Sequence, residues 1–169
     1  MKTVIVVDYN PAWPAIFEQL RHHIWPVVQD IALSIEHIGS TSVPGLAAKP
    51  IIDLSVVEPS AIEVPLAIKR LAALRYVHKG NLGIEGREAF NRPDGLPRHN
   101  LYLCPKGSLG LKNPLAVRDY LRAHPDMARA YGDLKRQLAA QFPDDIDSYV
   151  EGKTDFILDI LQQQGFSSE

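Results

Sequence analysis

Apolar and polar positions follow two different periods along the chain, which predicts a mixture of strands and helices. Short β-branched or apolar runs at 3–7, 33–38 and 51–57 are typical of strands. From Trp13 to Ile31, apolar residues recur at steps of three and four, which predicts an amphipathic helix that begins at Asn10-Pro11. Pro26 is expected to kink or divide that helix.

The later part of the chain predicts a hairpin followed by helices. Residues 87–92 and 98–104 alternate as strands and flank the turn around Pro93-Asp94-Gly95. Beyond Gly110 the apolar period becomes helical, with breaks at His124-Pro125 and Pro143. On the second of these helices, Lys135 and Arg136 are expected to be exposed. The pattern as a whole predicts an α+β fold with a helical C-terminal third.

The stretch from Ile35 to Ser55 carries the clearest candidate chemistry. A strand leads into the turn Gly39-Ser40-Thr41, and the next strand delivers Asp53. A glycine-containing turn lets backbone N–H groups and hydroxyls approach an anion. A carboxylate on the next strand could hold a metal against that anion. Because an unpaired buried carboxylate is costly, Asp53 is the best candidate for a functional acid, and a structural salt bridge is the alternative.

Composition limits the class of protein. The 169 residues are 46% hydrophobic and carry a net charge of −2, which suits one globular domain over 1–169 and no general attraction to nucleic acid. A basic face with interleaved aromatic residues is also absent from the sequence. The single Cys104 suits a reducing cytoplasm and is expected to be a buried thiol. No stretch approaches a bilayer-spanning length, so we predict a cytoplasmic protein without membrane contact.

Several basic side chains lie in or near the stretch from Ile35 to Ser55. Each of them could bind a ligand or could have a purely structural role. His37 could line the pocket or hold the turn by a hydrogen bond, and the second interpretation is favoured slightly. Arg98 and His99 lie where the hairpin could face Asp53. Arg118 and Arg122, four residues apart on a helix, could bind phosphate or pair with nearby aspartates.

The residues 36–53, Arg98-His99-Asn100-Leu101 and Arg118-Asp119-Tyr120-Leu121-Arg122 resemble the GrpB family. This family is similar to the domain appended to dephospho-CoA kinase in some bacteria and belongs to the nucleotidyltransferase fold superfamily. The resemblance implies a mixed sheet with packed helices and a cleft at Gly39-Ser40. It also implies that Asp53 matches the first magnesium-binding carboxylate. Ser55 stands in place of the second, and residues 98–103 contain no acid for the third.

This resemblance implies a site for a nucleotide or another phosphate-bearing small molecule. The expected catalytic residues are Asp53 and His99, with Mg²⁺ at Asp53. The expected ligand-binding residues are His37, Gly39, Ser40, Thr41, Lys49, Arg98, Arg118 and Lys153. Three functions remain open at this point. They are magnesium-assisted nucleotidyl transfer, a non-catalytic accessory module that binds nucleotide or phosphate, and a different phosphoryl or acyl reaction with His99 and Asp53 as an acid–base pair.

Overall fold

A computed structural model describes residues 3–165 and groups them into two compact units. The sheet unit comprises residues 12–38 and 51–114. The helical unit comprises residues 3–11, 39–50 and 115–165. The single domain over 1–169 stays a prediction, and each unit is described by itself below.

The sheet unit contains a five-stranded mixed sheet and two helices. Its elements in chain order are α1 (Trp13–Val28), β1 (Ser34–Ile38), β2 (Ile52–Glu58), α2 (Val64–Ala73), β3 (Val77–Gly80), β4 (Glu88–Asn91) and β5 (His99–Pro105). The strand order is β1-β2-β5-β4-β3. Strands β2 and β5 run parallel, and the other neighbours are antiparallel. This arrangement confirms the predicted α+β class with a mixed sheet.

Alternation along β2 divides the sheet into two chemically different faces. Ile52, Leu54 and Val56 are almost fully buried on one face, which we call the apolar face. Asp53 and Ser55 point to the other, which we call the polar face. In the parallel register, Asp53 pairs with Asn100 and Ser55 pairs with Tyr102. The pairing therefore extends the polar face from β2 onto β5.

Helix α1 differs from its prediction at both ends. It begins at Trp13, with Ala12 as N-cap and a proline in its first turn, rather than at Asn10-Pro11. Pro26 lies inside the helix, which is continuous to Val28. The predicted division is therefore wrong. A proline this close to the C-terminal end removes one intrahelical hydrogen bond, and the helix ends two residues later in any case.

The helical unit contains α4 (Pro125–Gln141), α5 (Ile146–Gly152) and α6 (Thr154–Gln163), together with most of α3 (Leu109–Ala123). Lys153 separates α5 from α6, where the sequence predicted one helix. Residues 3–7 form a single bridge, between Val7 and Ala48, rather than a strand. Within residues 3–165, no helix is long and apolar enough to cross a membrane.

Apolar side chains from all parts of the helical unit form its core. Val43 and Leu46, from the segment after the Gly39 turn, pack with Leu121, Tyr131 and Ile160. The segment 39–50 is thus fixed by burial against the C-terminal helices. That packing positions the turn residues Ser40 and Thr41 within this unit.

Candidate functional site

The polar face of the sheet centres on a hydrogen-bonded pair of side chains. The Asn100 Nδ2 group donates to Asp53 Oδ1 at 2.9 Å, and both residues are partly exposed. Beside them, the Arg87 guanidinium lies 4.6 Å from the centre of the Tyr102 ring. Burial raises the pKa of Tyr102 to about 12, with a further rise from the negative charge of Asp53 and an opposing effect from Arg87. Glu36 on β1 pairs with Ser55, so two carboxylates, one amide and one guanidinium share this face.

Ser55, where the resemblance would place a second carboxylate, is fully buried. Its hydroxyl has no hydrogen-bond partner among residues 3–165, and burial raises the pKa of the Cys104 thiol. Cys104 itself is also fully buried, as predicted. Ser55 therefore contributes to the packed interior of the sheet.

The residues around Asp53 include one candidate magnesium ligand that the sequence predicted, the Asp53 carboxylate itself. Mg²⁺ requires oxygen ligands in octahedral geometry and is usually held by one or two carboxylates plus substrate phosphates. Asn100 donates an N–H to Oδ1 of Asp53, as partners of metal-binding carboxylates also do. Among residues 3–165, no group of three or more His, Cys, Asp or Glu side chains is placed to hold a metal ion. Mg²⁺ at Asp53 therefore stays a prediction.

His99 lies on the apolar face, opposite Asp53. It pairs with Ile52 in the register and is 1% exposed. Its Nε2 lies 2.7 Å from the Tyr76 hydroxyl, and Nδ1 lies 2.5 Å from the Pro97 carbonyl oxygen. Burial lowers the pKa of His99. The expectation that His99 faces Asp53 as an acid–base partner is therefore wrong, because a neighbouring position on a strand points to the other face.

His37, on β1, points to the apolar face of the sheet, as His99 does. It is 8% exposed and stacks on the Phe17 ring of α1, with ring centroids 4.7 Å apart. This contact agrees with a structural role for His37. It lies on the apolar face and away from Asp53, which pairs with Ile38.

The turn after β1 depends on Gly39, whose backbone has φ 74° and ψ −176°. L-residues rarely adopt this region. Residues Ser40–Ser42 then form one turn of 3₁₀ helix, in which the Ser42 N–H donates to the Gly39 carbonyl at 3.1 Å. Thr41 is 2% exposed. A glycine at this position is therefore required for the conformation of the turn.

We expect Gly39→Ala to destabilise the protein by about 1–3 kcal/mol, because alanine is strained at this φ and ψ. The melting temperature should fall by roughly 2–10 °C. Gly132→Ala is the matched control, since Gly132 is helical and its added Cβ would lie 3.5 Å from the Ala47 Cβ, an ordinary contact. Equal melting temperatures for Gly39→Ala and wild type would contradict the strain argument.

The helical unit brings together three lysines and two tyrosines, which we call the lysine–tyrosine cluster (Lys49, Lys135, Lys153, Tyr131 and Tyr149). The Lys49 and Lys153 Nζ atoms lie 5.4 Å and 4.7 Å from the centre of the Tyr149 ring. The Lys135 Nζ lies 4.7 Å from the centre of the Tyr131 ring. Ser40, from the Gly39 turn, lies close enough to Tyr131 to lower the pKa of its phenol. The cluster is therefore an assembly of positive charge next to the predicted anion-binding turn.

Burial governs the protonation of the two tyrosines. It raises the pKa of Tyr149 to about 12. It also raises the pKa of Tyr131, with a further rise from Tyr149 and an opposing effect of Ser40. Tyr149 is 0% exposed, and its hydroxyl has no hydrogen-bond partner among residues 3–165. Both phenols are therefore neutral hydrogen-bond donors at physiological pH.

Lys135 is 1% exposed, so its predicted exposure is wrong. Lys135, Tyr131 and Tyr149 were not predicted as candidate ligand-binding residues from the sequence. A repeated Tyr-x-x-x-Lys spacing, at Tyr131/Lys135 and Tyr149/Lys153, was the available signal. In a helix, such a spacing places the ring and the ammonium group on one face.

The three arginines considered as candidates from the sequence, Arg98, Arg118 and Arg122, make separate contacts. Arg98 is exposed, and its carbonyl accepts a hydrogen bond from the Ile52 N–H at 3.2 Å. The Arg118 Nε lies 2.9 Å from the carboxylate of Asp119, which is the ion pair considered as the alternative to phosphate binding. The Arg122 Nε donates to the Ser42 carbonyl at 2.9 Å and so holds the turn segment.

Comparisons with known proteins agree with this architecture. The family model described as GrpB protein matches residues 3–163. The chain belongs to the GrpB family. It is 30% identical over 165 residues to the glutamate-rich protein GrpB of Alkalihalophilus pseudofirmus, with 95% of each chain covered. It is also 38% identical over 156 residues to the UPF0157 protein YqkA of Bacillus subtilis, and the match covers 92% of this chain but 46% of YqkA.

The predicted likeness to a dephospho-CoA kinase is also confirmed. The GrpB-family chain is 25% identical over 185 residues to the dephospho-CoA kinase of Mycolicibacterium paratuberculosis, covering 95% of this chain and 46% of that protein. These shares mean that the chain spans about half the length of both YqkA and the kinase.

Solved structures place the GrpB-family chain within the nucleotidyltransferase fold. The crystal structure of conserved protein GrpB from Enterococcus faecalis matches with a TM-score of 0.84 and 37% identity, covering 94% of this chain and 96% of that chain. Cid1 in complex with its short product ApU matches with a TM-score of 0.54 and 14% identity, covering 77% of this chain and 42% of that chain. At such low identity, the likeness to Cid1 concerns the fold alone.

Proposed function

We propose that this GrpB-family protein binds a phosphate-bearing small molecule, of which a nucleotide is the first candidate, through the lysine–tyrosine cluster. The observation that carries the proposal is that two ammonium groups, of Lys49 and Lys153, lie over one ring, that of Tyr149. Both Nζ atoms lie within 5.4 Å of the centre of this ring, so one phosphate-bearing ligand could contact both.

The hydrogen-bonding groups of the cluster support the same ligand class. Lysine supplies three N–H donors as a point charge, which suits phosphate oxygens. The buried Tyr149 hydroxyl, without a partner among the described residues, supplies a further donor. A donor-rich, positively charged group of this kind favours phosphate over a neutral or cationic ligand.

The nucleotide is proposed by analogy of fold, since Cid1 is known in complex with its product ApU. Magnesium-assisted nucleotidyl transfer has less support, because Ser55 stands where the superfamily has its second carboxylate. The proposal therefore concerns binding by an accessory module in which the second and third carboxylates of the superfamily have been lost.

The first test is isothermal titration calorimetry with inorganic triphosphate in the presence of EDTA. We expect saturable binding to the wild type. Lys153→Met should weaken it roughly tenfold, because a hydrogen bond to a charged group contributes about 1.5 kcal/mol or more. Lys112→Met, which removes an exposed lysine from α3, is the control and should leave the affinity unchanged.

The same titration distinguishes a nucleotide ligand, a general phosphate ligand and a magnesium-dependent enzyme. Tighter binding of UTP than of triphosphate would favour a nucleotide, and equal binding would favour a general phosphate ligand. Binding that requires Mg²⁺ would support the enzyme instead. If Lys153→Met and wild type bound triphosphate equally, the proposal would be overturned.

A further inference from the structure

A buried carboxyl group without a hydrogen-bond partner lies at the end of β2, in the sheet unit. The Glu58 side chain is 0% exposed, and neither of its oxygens has a hydrogen-bond partner among residues 3–165. Alternation along β2 directs Glu58 to the apolar face, together with Leu54 and Val56. Polar groups in protein interiors are nearly always hydrogen-bonded, so this carboxyl group is held in the interior at a cost in free energy.

The residues next to Glu58 explain why the main chain does not supply a donor. Pro59 follows it in the sequence, and Pro105 is its register partner on β5. Proline has no N–H group, so neither position can donate. The N–H of Lys106 donates to the backbone carbonyl of Glu58 at 2.7 Å and is therefore already engaged.

A negative charge faces Glu58 from the start of α2. The Glu63 carboxylate accepts hydrogen bonds from the N–H and the hydroxyl of Ser60, at 3.1 and 2.7 Å. These hydrogen bonds lower the pKa of Glu63, which is therefore ionised at neutral pH. Its charge adds to the effect of burial in raising the pKa of Glu58. A second negative charge, at Glu58, is disfavoured for both reasons.

The positive charges of the neighbouring elements are engaged or exposed. Arg70 of α2 pairs with Asp30, which follows α1. Lys69 of α2 and Lys106, which follows β5, are exposed. Once ionised, the Glu58 carboxylate is therefore opposed by a negative charge and gains solvation by moving into water.

We propose that Glu58 makes the connection from β2 to α2 sensitive to pH: loss of its proton raises the fraction of molecules in which residues 58–63 have transiently separated from the end of β5. The closed form stays the main form. The open form exposes the carboxylate to water and breaks the Lys106–Glu58 hydrogen bond, while the rest of β2 stays paired. Such a local opening costs less free energy than global unfolding. This inference does not rest on ligand binding by the lysine–tyrosine cluster.

The test is amide hydrogen exchange of the full chain, followed by NMR at pH 5 and pH 8 in low concentrations of urea. The intrinsic rate at each pH divided by the measured rate gives a protection factor. We expect that of the Lys106 amide to fall roughly 70-fold between the two pH values, because the pKa of Glu58 is about 7 in the closed form and 4.5 in water. It should not depend on urea, since a local opening exposes little surface.

The Leu101 amide is the reference for global unfolding. Leu101 lies on the central strand β5, where it pairs with Leu54 on β2 and Phe90 on β4. Its protection factor should decrease with urea, as expected for an amide that exchanges by global unfolding. In Glu58→Gln, the protection factor of Lys106 should be nearly equal at the two pH values. Glu85→Gln, at an exposed position, should behave as the wild type does.

Three results would overturn the inference. A Lys106 protection factor that depends on urea as strongly as that of Leu101 would mean that exchange at Lys106 requires global unfolding. Equal Lys106 protection at pH 5 and pH 8 in the wild type would mean that the opening does not expose Glu58. The same pH dependence in Glu58→Gln as in the wild type would show that another group titrates. The first two comparisons use the wild type alone and so do not depend on the folding of a variant.

Discussion

Replacing Lys135 by methionine is expected to weaken the binding of inorganic triphosphate by a factor of roughly 10–100. Lys135 is 1% exposed and lies over Tyr131, the ring that Ser40 of the Gly39 turn approaches. A charged hydrogen bond contributes about 1.5–3 kcal/mol, and more of that energy is retained where water is excluded. Because Lys135 is the most buried of the three clustered lysines, its loss should have the largest effect of any single substitution in the cluster.

Calorimetry at two salt concentrations checks this prediction. A buried charge is screened less than an exposed one, so the difference between Lys135→Met and wild type should persist at high salt. Arg129→Met is the matched control, because Arg129 lies on the same helix, pairs with Asp126 and is 75% exposed. An affinity loss in Lys135→Met that disappears at high salt would mean that Lys135 attracts the ligand only at long range.

The melting temperature must be followed in the same variants. Methionine has nearly the length of the lysine stem and keeps its packing. A large fall in melting temperature would show that Lys135 stabilises the helical unit. Weak binding with an unchanged melting temperature would show that Lys135 contributes to ligand binding, as we expect.

The strands and the candidate acid could be predicted from sequence because their signals are local. The β-branched run at 51–57 predicted β2 to within one residue at each end, and the structure has it at Ile52–Glu58. Alternation then placed Asp53 and Ser55 on one face without knowledge of the neighbouring strands. These features depend on a few adjacent residues and so are visible in one sequence.

The orientation of the histidines could not be predicted in the same way. The strand 98–104 was expected, but its register against β2 depends on contacts distant in sequence. The observed register pairs Asp53 with Asn100, so His99 points to the apolar face and meets Tyr76. A shift of one residue would have reversed this result.

The burial of Lys135 was missed for a related reason. A lysine on an amphipathic helix is normally exposed, and α4 contains several charged residues on its outer side. Only the packing of α4 within the helical unit shows that Tyr131, Lys135 and Leu138 lie on the buried stripe. Polar residues on a buried stripe contradict the local pattern, and such contradictions are concentrated at functional sites.

Glu58, at the end of β2, is expected to make the stability of the protein depend on pH. Its side chain is 0% exposed, and neither carboxylate oxygen has a hydrogen-bond partner among residues 3–165. Burial, with a smaller contribution from the charge of Glu63, raises the pKa of Glu58 from 4.5 to about 7. The folded protein therefore holds a proton on Glu58 at pH values where the unfolded chain has released it.

This difference in bound protons determines whether the free energy of unfolding rises or falls with pH. Between about pH 4.5 and pH 7 the folded state binds more protons than the unfolded state, so the free energy of unfolding falls as pH rises. The loss levels off above the folded pKa and amounts to about 3 kcal/mol, since each pKa unit corresponds to about 1.4 kcal/mol. At pH 8 the folded protein must hold a charged, buried carboxylate.

Glu58→Gln removes the charge while keeping the shape of the protonated side chain. The variant should match the wild type near pH 5 and exceed its melting temperature by roughly 5–10 °C at pH 8. Glu85→Gln, at an exposed position in the loop before β4, is the control and should follow the wild type at both pH values. A parallel loss of stability in wild type and Glu58→Gln between these two pH values would show that the titrating group is not Glu58. Agreement would mean that the sheet unit holds this acid in its interior most stably below about pH 7, where the acid is protonated.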